Sequence, residues 1–216
     1  MAPMGAEQLA EFPLFPLGMV ALPREGVPLH IFEQRYRVMI ERCLQAQAAS
    51  EGGEFGIVWL AEEELKGIGC ACEIERVLER MDDGRLNILA RGTRPFRLLE
   101  RQDHLPYPAG VVEFLEEEAE QLDEQAAGGA RELYRELVRQ ATDRDLGEED
   151  LEELDSYGMA ANVEFGTDAK QELLELRSEN ARLALLSMLL EAAIERLESV
   201  ERAQARARSN GKVRFG

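Results

Sequence analysis

The order of apolar and polar positions divides the chain into a strand-rich first half and a helical second half. Phe12 to Leu17 is extended, because Pro13 and Pro16 each disfavour the α region for the residue before them. Phe55-Gly56-Ile57-Val58-Trp59-Leu60 is apolar on both faces, which predicts a buried strand. Ile68, Cys70, Cys72 and Ile74 alternate with small or polar residues. Asp83-Gly84 marks a tight turn, after which Leu86, Ile88 and Ala90 alternate again. Gly92 to Pro95 reads as a break, Phe96 to Leu99 as a resumption and Val111 to Leu115 as a closing strand. Short strands with turns about every ten residues argue for a barrel or a sandwich. One helix interrupts them: Phe32, Tyr36, Met39, Cys43 and Ala46 follow steps of 4, 3, 4 and 3, an amphipathic stripe.

The second half follows helical spacing. Gly128-Gly129 is expected to break the chain, and Leu133, Leu137, Val138 and Ala141 to form one helix after it. Leu151 and Leu154 suit a short helix. Asp168 with Gln171 is expected to cap the next, which carries Leu173, Leu174 and Leu176. Ser178 caps a long helix with Leu183, Leu186, Leu189, Leu190, Ile194 and Leu197. At ~25 residues it reaches nearly 40 Å and is expected to pack along the other helices and onto the strands. Lys212-Val213-Arg214-Phe215 reads as a loose end, with an edge strand as the alternative.

Charge sharpens the division. The 216 residues carry 43 Asp plus Glu against 25 Lys plus Arg, a net charge of −18. Residues 1–112 account for −5 (12 basic, 17 acidic) and residues 113–216 for −13 (13 basic, 26 acidic). Such a balance disfavours a broad nucleic-acid surface and anionic membranes. Glu113 to Gly128 holds seven acids and no base, the composition of a solvated connector and helix face. The start of the chain lacks the basic and apolar segments of a signal peptide, and Phe12 to Pro23 is too short to span a bilayer. Three cysteines are too few for a disulfide framework. A cytoplasmic protein is expected.

Little of the sequence points to catalysis. Gly211-Lys212 is followed by Val213 and has no glycine five positions before it, so it is not a phosphate-cradling loop. Lys66, Lys170 and Lys212 are the only lysines, and no segment resembles a Ser-Lys peptidase domain. His30 sits among apolar residues and suits packing or hydrogen bonding. His104, beside Asp103, suits an exposed loop. Cys70 and Cys72 place both thiols on one face of a strand and suit core packing, since metal sites need more ligands. No metal and no cofactor is expected. Arg91, Arg94, Arg97 and Arg101 straddle a turn and a strand and suit ion pairs with nearby glutamates rather than an RNA surface.

Taken together, certain motifs resemble a known family. Phe12-Pro-Leu-Phe-Pro-Leu17, Val27-Pro-Leu-His-Ile-Phe-Glu33 and Arg35-Tyr36-Arg37 resemble the N-terminal substrate-binding domain of Lon proteases, and the small stand-alone bacterial proteins built from it. Gly67-Ile-Gly69, Asp83-Gly84-Arg85-Leu86, Arg91-Gly92-Thr93-Arg94, Tyr107-Pro108 and Asp168-Ala-Lys-Gln-Glu-Leu-Leu-Glu175 continue the likeness, over roughly residues 10–205. Two departures are Gln34, where a proline is common, and Arg24-Glu25, which replaces a more apolar, glycine-bearing stretch.

The resemblance implies an α+β fold: a PUA-like β-barrel over residues 8–117, a C-terminal α-helical bundle over 118–208, and a tail over 209–216. It also implies a non-catalytic module, without ATPase or protease parts, that binds unfolded polypeptide or a partner protein. An extended apolar ligand would lie in a groove or add to a sheet edge, and a cleft between the two parts is the expected place. Pro16, Leu17, Pro28, Leu29, Phe32 and Tyr36 are the candidate binding residues; the alternative is that they, Phe32 above all, belong to the barrel core. Two other functions remain open. An adaptor would dock its acidic helical half on a basic partner. A hydrolase would need a pocket bringing His30 or Cys43 beside a carboxylate or a serine.

Overall fold

A computed structural model describes residues 7–210. Its elements in chain order are β1 (Gln8–Leu17), β2 (Gly26–Ile31), α1 (Gln34–Ala48), β3 (Phe55–Ala61), β4 (Glu64–Leu65), β5 (Ile68–Arg80), β6 (Leu86–Gln102) and β7 (Ala109–Phe114). Then come α2 (Glu124–Thr142), α3 (Glu148–Glu152), α4 (Ser156–Ala160), α5 (Thr167–Glu175) and α6 (Glu179–Asn210). The class is α+β, as expected. Lys212 to Phe215 lie outside the described residues.

The strands form one large, mostly antiparallel sheet in the order β1-β7-β6-β5-β3-β4, with β2 on β6. A parallel pairing of Leu14–Leu17 with Gly56–Trp59 brings β3 back beside β1. The sheet separates two apolar clusters, which explains why Phe55 to Leu60 is apolar throughout. Phe55 and Ile57 face the larger cluster, shared with α1 and the C-terminal helices, whereas Val58 faces a smaller one with Phe12, Leu14, Ala71, Phe96, Val112 and Phe114. Phe96 fills that smaller space only because Gly56 and Gly69 lie against its ring; a Cβ on Gly69 would stand 2.8 Å from Phe96 Cζ.

Several expectations are corrected. Gly92 to Pro95 does not break the chain: β6 runs through it unbroken, opposite β5. Gly92 serves another purpose, since a Cβ there would collide with the Leu22 carbonyl of the crossing loop. Gly128-Gly129 lies inside α2. Asp123 caps that helix by accepting from the Gln125 and Ala126 amides, and burial of Ala127, Ala130, Tyr134 and Leu137 outweighs the helix-breaking tendency of two open glycines. Asp168 is not a cap, because Gly166 takes that position and no side chain caps α5. Ser178 is one: its Oγ accepts from Ala181 N–H at 3.0 Å. From there α6 runs 32 residues, about 48 Å.

Sheet and helices are fastened by buried polar groups. Gln171 on α5 donates to the Ile68 carbonyl of β5 at 3.2 Å. Arg182, 2% exposed, reaches Glu117 and Glu179 at 2.7 Å and donates to the Leu176 carbonyl, also at 2.7 Å. The acidic connector is pinned along the start of α6: Glu120 accepts from Asn180 N–H and the Ser178 hydroxyl, which hold its carboxyl below the usual range.

Candidate functional site

A groove of about 740 Å³ opens beside β2. Its walls are six consecutive residues from the end of β1 and the loop after it, Leu14 to Met19, and a run from β2 into α1, Pro28 to Glu33; Leu60, Leu65, Pro108 and Ala109 add further apolar surface. All six candidate binding residues line it. Their exposures differ. Tyr36 is buried and forms the floor, its ring 4.2 Å from that of Phe15 and capped by the Arg35 guanidinium at 4.6 Å. Burial raises the Tyr36 phenol above its ordinary pKa. Pro16, Leu17 and Leu29 are half-buried, and Pro28 is exposed.

Two expectations about this site are corrected. Phe32 belongs neither to the core nor to the helical stripe: it is 59% exposed and precedes α1, which begins at Gln34. Its ring stacks on His30 at 5.7 Å instead. The groove also lies between strands and α1, not at the junction with the helical part, since no residue of α2 to α6 lines it. Sequence reasoning missed Leu60, Leu65 and Pro108. Only the fold brings β3, β4 and the β6–β7 turn to this place, and no local pattern marks them.

The groove carries few charges. Glu33 and Arg35 pair at 2.8 Å, and Glu63 and Arg101 stand at its margin. No group of three or more His, Cys, Asp or Glu among the described residues is placed to hold a metal ion. What the arrangement offers is a largely apolar, open trough beside β2.

The family model of the ATP-dependent protease La (LON) substrate-binding domain matches residues 11–192. The chain belongs to that family. Lon protease 1 of Hydrogenovibrio crunogenus is 27% identical over 155 residues, covering 68% of this chain but only 19% of that protease. The fold is shared with two solved structures. The Lon N-terminal domain protein from Xanthomonas campestris aligns with a TM-score of 0.61 at 24% identity, over 83% of this chain and 96% of the other. The N-terminal domain of Mycobacterium avium complex Lon protease aligns at 0.64 and 20%, over 86% and 98%.

In this Lon-type domain the remaining chemistry-bearing residues have other partners. Asn87 Nδ2 donates to Glu79, so its Oδ1 accepts from His30 Nδ1 at 2.6 Å. His104 meets Glu11 at 3.0 Å. Cys43 lies 3.8 Å from the Glu54 carbonyl. The hydrolase reading asked for His30 or Cys43 beside a carboxylate or a serine, and among the described residues neither hydrogen-bonds to one. Cys70 and Cys72 are buried in the larger cluster, on one face of β5 as predicted. The four arginines pair with acids: Arg91 with Glu75, Arg94 with Glu7 and Glu54, Arg97 with Glu113 and Arg101 with Asp103. Among the described residues no helix is long and apolar enough to cross a membrane.

Proposed function

We propose that this Lon-type domain is a non-catalytic module that holds exposed, partly unfolded polypeptide in the groove beside β2. One observation carries the reading. Six residues chosen from sequence, spread from Pro16 to Tyr36, line a single apolar trough of about 740 Å³. Family membership supports it, because the matched family is a substrate-binding domain. A cytoplasmic setting suits three free, buried thiols. Neither nucleic acid nor membrane is proposed as a partner.

Titration of a fluorescently labelled, permanently unfolded protein against the full chain tests this. Saturable binding with a Kd in the micromolar range is expected, and no binding at ~100 μM would refute it. The adaptor reading draws on a second hollow, of about 430 Å³, lined by Glu117, Glu118, Glu120, Glu152, Glu153, Asp155 and Glu179. Most of these carboxylates already have partners: Glu117 and Glu179 on Arg182, Glu120 on Ser178 and Asn180, Asp155 on Arg24. Salt separates the two readings. Binding through apolar surface persists as ionic strength rises, whereas docking on a basic partner weakens.

A further inference from the structure

The pairing parity of β2 fixes which of its main-chain groups turn away from β6. In an antiparallel ladder, residues alternate between hydrogen-bonded pairs and pairs whose N–H and C=O groups point away from the partner. Gly92 N–H donates to the Glu25 carbonyl at 2.9 Å, which makes Glu25 opposite Gly92 a bonded position. The register Gly26↔Arg91 to Ile31↔Leu86 then makes Val27, Leu29 and Ile31 the bonded residues. Gly26, Pro28 and His30 turn their main-chain groups away from β6. Proline agrees with this parity, since it has no N–H to give a ladder. Among the described residues β2 pairs with no strand but β6, so its outer edge is open.

That edge is a wall of the groove. A cavity touching one face of a strand is lined by every second residue. Pro28, Leu29, His30, Ile31 and Phe32 all line this one, so the strand presents its edge. The opposite wall has the same character. Leu14 sends its N–H to the Pro108 carbonyl at 2.8 Å, away from β3, and by alternation Pro16 faces the same way. Both walls therefore have a proline where an N–H would stand. The Pro16, Pro28 and His30 carbonyls can accept, and along the Pro28–His30 stretch the one donor is His30 N–H.

We infer that the segment held here is extended and joins β2 as an added strand through Pro28 and His30, with alternate apolar side chains on Leu17, Leu29 and Tyr36. The inference rests on the proposed polypeptide-holding function and deepens it. The edge supplies main-chain complementarity, and that requires an extended backbone rather than a helix. The charged side chains lining the groove, Glu33 and Glu63 against Arg35 and Arg101, balance, so the segment's apolar side chains rather than its charge select it. The missing donors limit the pairing to a few hydrogen bonds, which keeps the hold brief. They also protect the open edge from pairing with another copy of the chain.

The test uses the full chain and a fluorescein-labelled peptide alternating Leu and Thr over eight residues, with a Lys at each end. Two N-methylated versions remove the amide hydrogens of either all Leu or all Thr positions. With the leucines on the groove floor, only one of the two frames faces β2. Loss of affinity of about tenfold in the frame facing β2, with a clearly smaller loss or none in the frame facing the single Pro16 carbonyl, is the expected result. Slowed amide exchange at His30, with Leu29 unchanged, is expected alongside. Equal loss or no loss in both frames overturns the added strand while leaving the groove reading intact. So does failure of the parent peptide to bind when the unfolded protein binds. If neither binds at ~100 μM, the holding function itself is wrong.

Discussion

Lys170 Nζ on α5 stands 2.5 Å from Glu25 Oε1 in the turn between β1 and β2, although the two residues are 145 positions apart. Both side chains are nearly buried, at 12% and 13% exposure. The second Glu25 oxygen accepts from Leu22 N–H at 2.9 Å, and the neighbouring Arg24 pairs with Asp155 at 2.7 Å. Arg24 and Glu25 thus tie the β1–β2 turn to the helical part of this chain, beside the links made by Gln171 and Arg182.

Removing one side of a buried pair leaves the other charge without compensation, whereas removing both does not. Lys170→Met is therefore expected to cost about 3 kcal/mol, read as a lower urea midpoint. Adding Glu25→Gln should restore at least half of that loss. A double variant as unstable as the sum of the singles would show that the pair contributes nothing specific.

The smaller apolar cluster leads to a steric prediction. A Cβ on Gly56 would collide with the Phe96 ring and come within 3.0 Å of Phe12 Cε1. Both rings are buried, so they have little room to move. Gly56→Ala should destabilise by about 2 kcal/mol, by overpacking. Phe96→Leu removes the colliding atoms. The double variant should be less unstable than additivity of the two single changes predicts, measured by chemical denaturation.

Cys43 is 2% exposed, and burial pushes its thiol pKa from an ordinary 9.0 up to about 12. The folded state binds the proton more tightly than the unfolded one. Its contribution is complete below pH 9 and is lost between pH 9 and 12, at up to about 1.4 kcal/mol per pH unit. Tyr36, Tyr107, Tyr134 and Tyr157 are raised by burial too, and act in the same direction. The cysteine is isolated by comparing the native chain with Cys43→Val. The stability difference should be flat below pH 9 and tilt toward the variant above it. A flat difference through pH 11 would contradict the shift.

What was legible in the sequence followed periodicity. Tyr36, Met39 and Cys43 gave α1 its buried face, and the alternation around Cys70 and Cys72 gave β5. What was hidden depended on distant partners. β2 escaped notice because Pro28 masks the alternation of Val27, Leu29 and Ile31, and an edge position alone makes that proline tolerable. The glycines of α2 signal a break locally, yet packing of Ala130, Tyr134 and Leu137 overrides them. Gly92 resembles a turn residue but answers to Leu22, seventy positions earlier in the chain. The six candidate residues fall along one groove because β1, β2 and α1 are consecutive, so a local stretch builds most of it. Phe32 fitted the helical spacing of Tyr36, yet the helix begins after it and leaves the ring in solvent.

Phe32 and Tyr36 therefore allow binding to be separated from stability. Tyr36 is 5% exposed against Phe15, so Tyr36→Ala should cost about 3 kcal/mol or more. Phe32 is 59% exposed, and Phe32→Ala should change stability by less than about 0.5 kcal/mol. If the groove holds unfolded polypeptide, the exposed ring gains contacts only when a segment is present. Phe32→Ala should then weaken binding of the labelled unfolded protein about tenfold while the urea midpoint stays in place. Leu29→Asp, on β2 and also lining the groove, should weaken it further by placing a carboxylate in the apolar trough. Unchanged affinity in both variants would move the binding surface away from this groove.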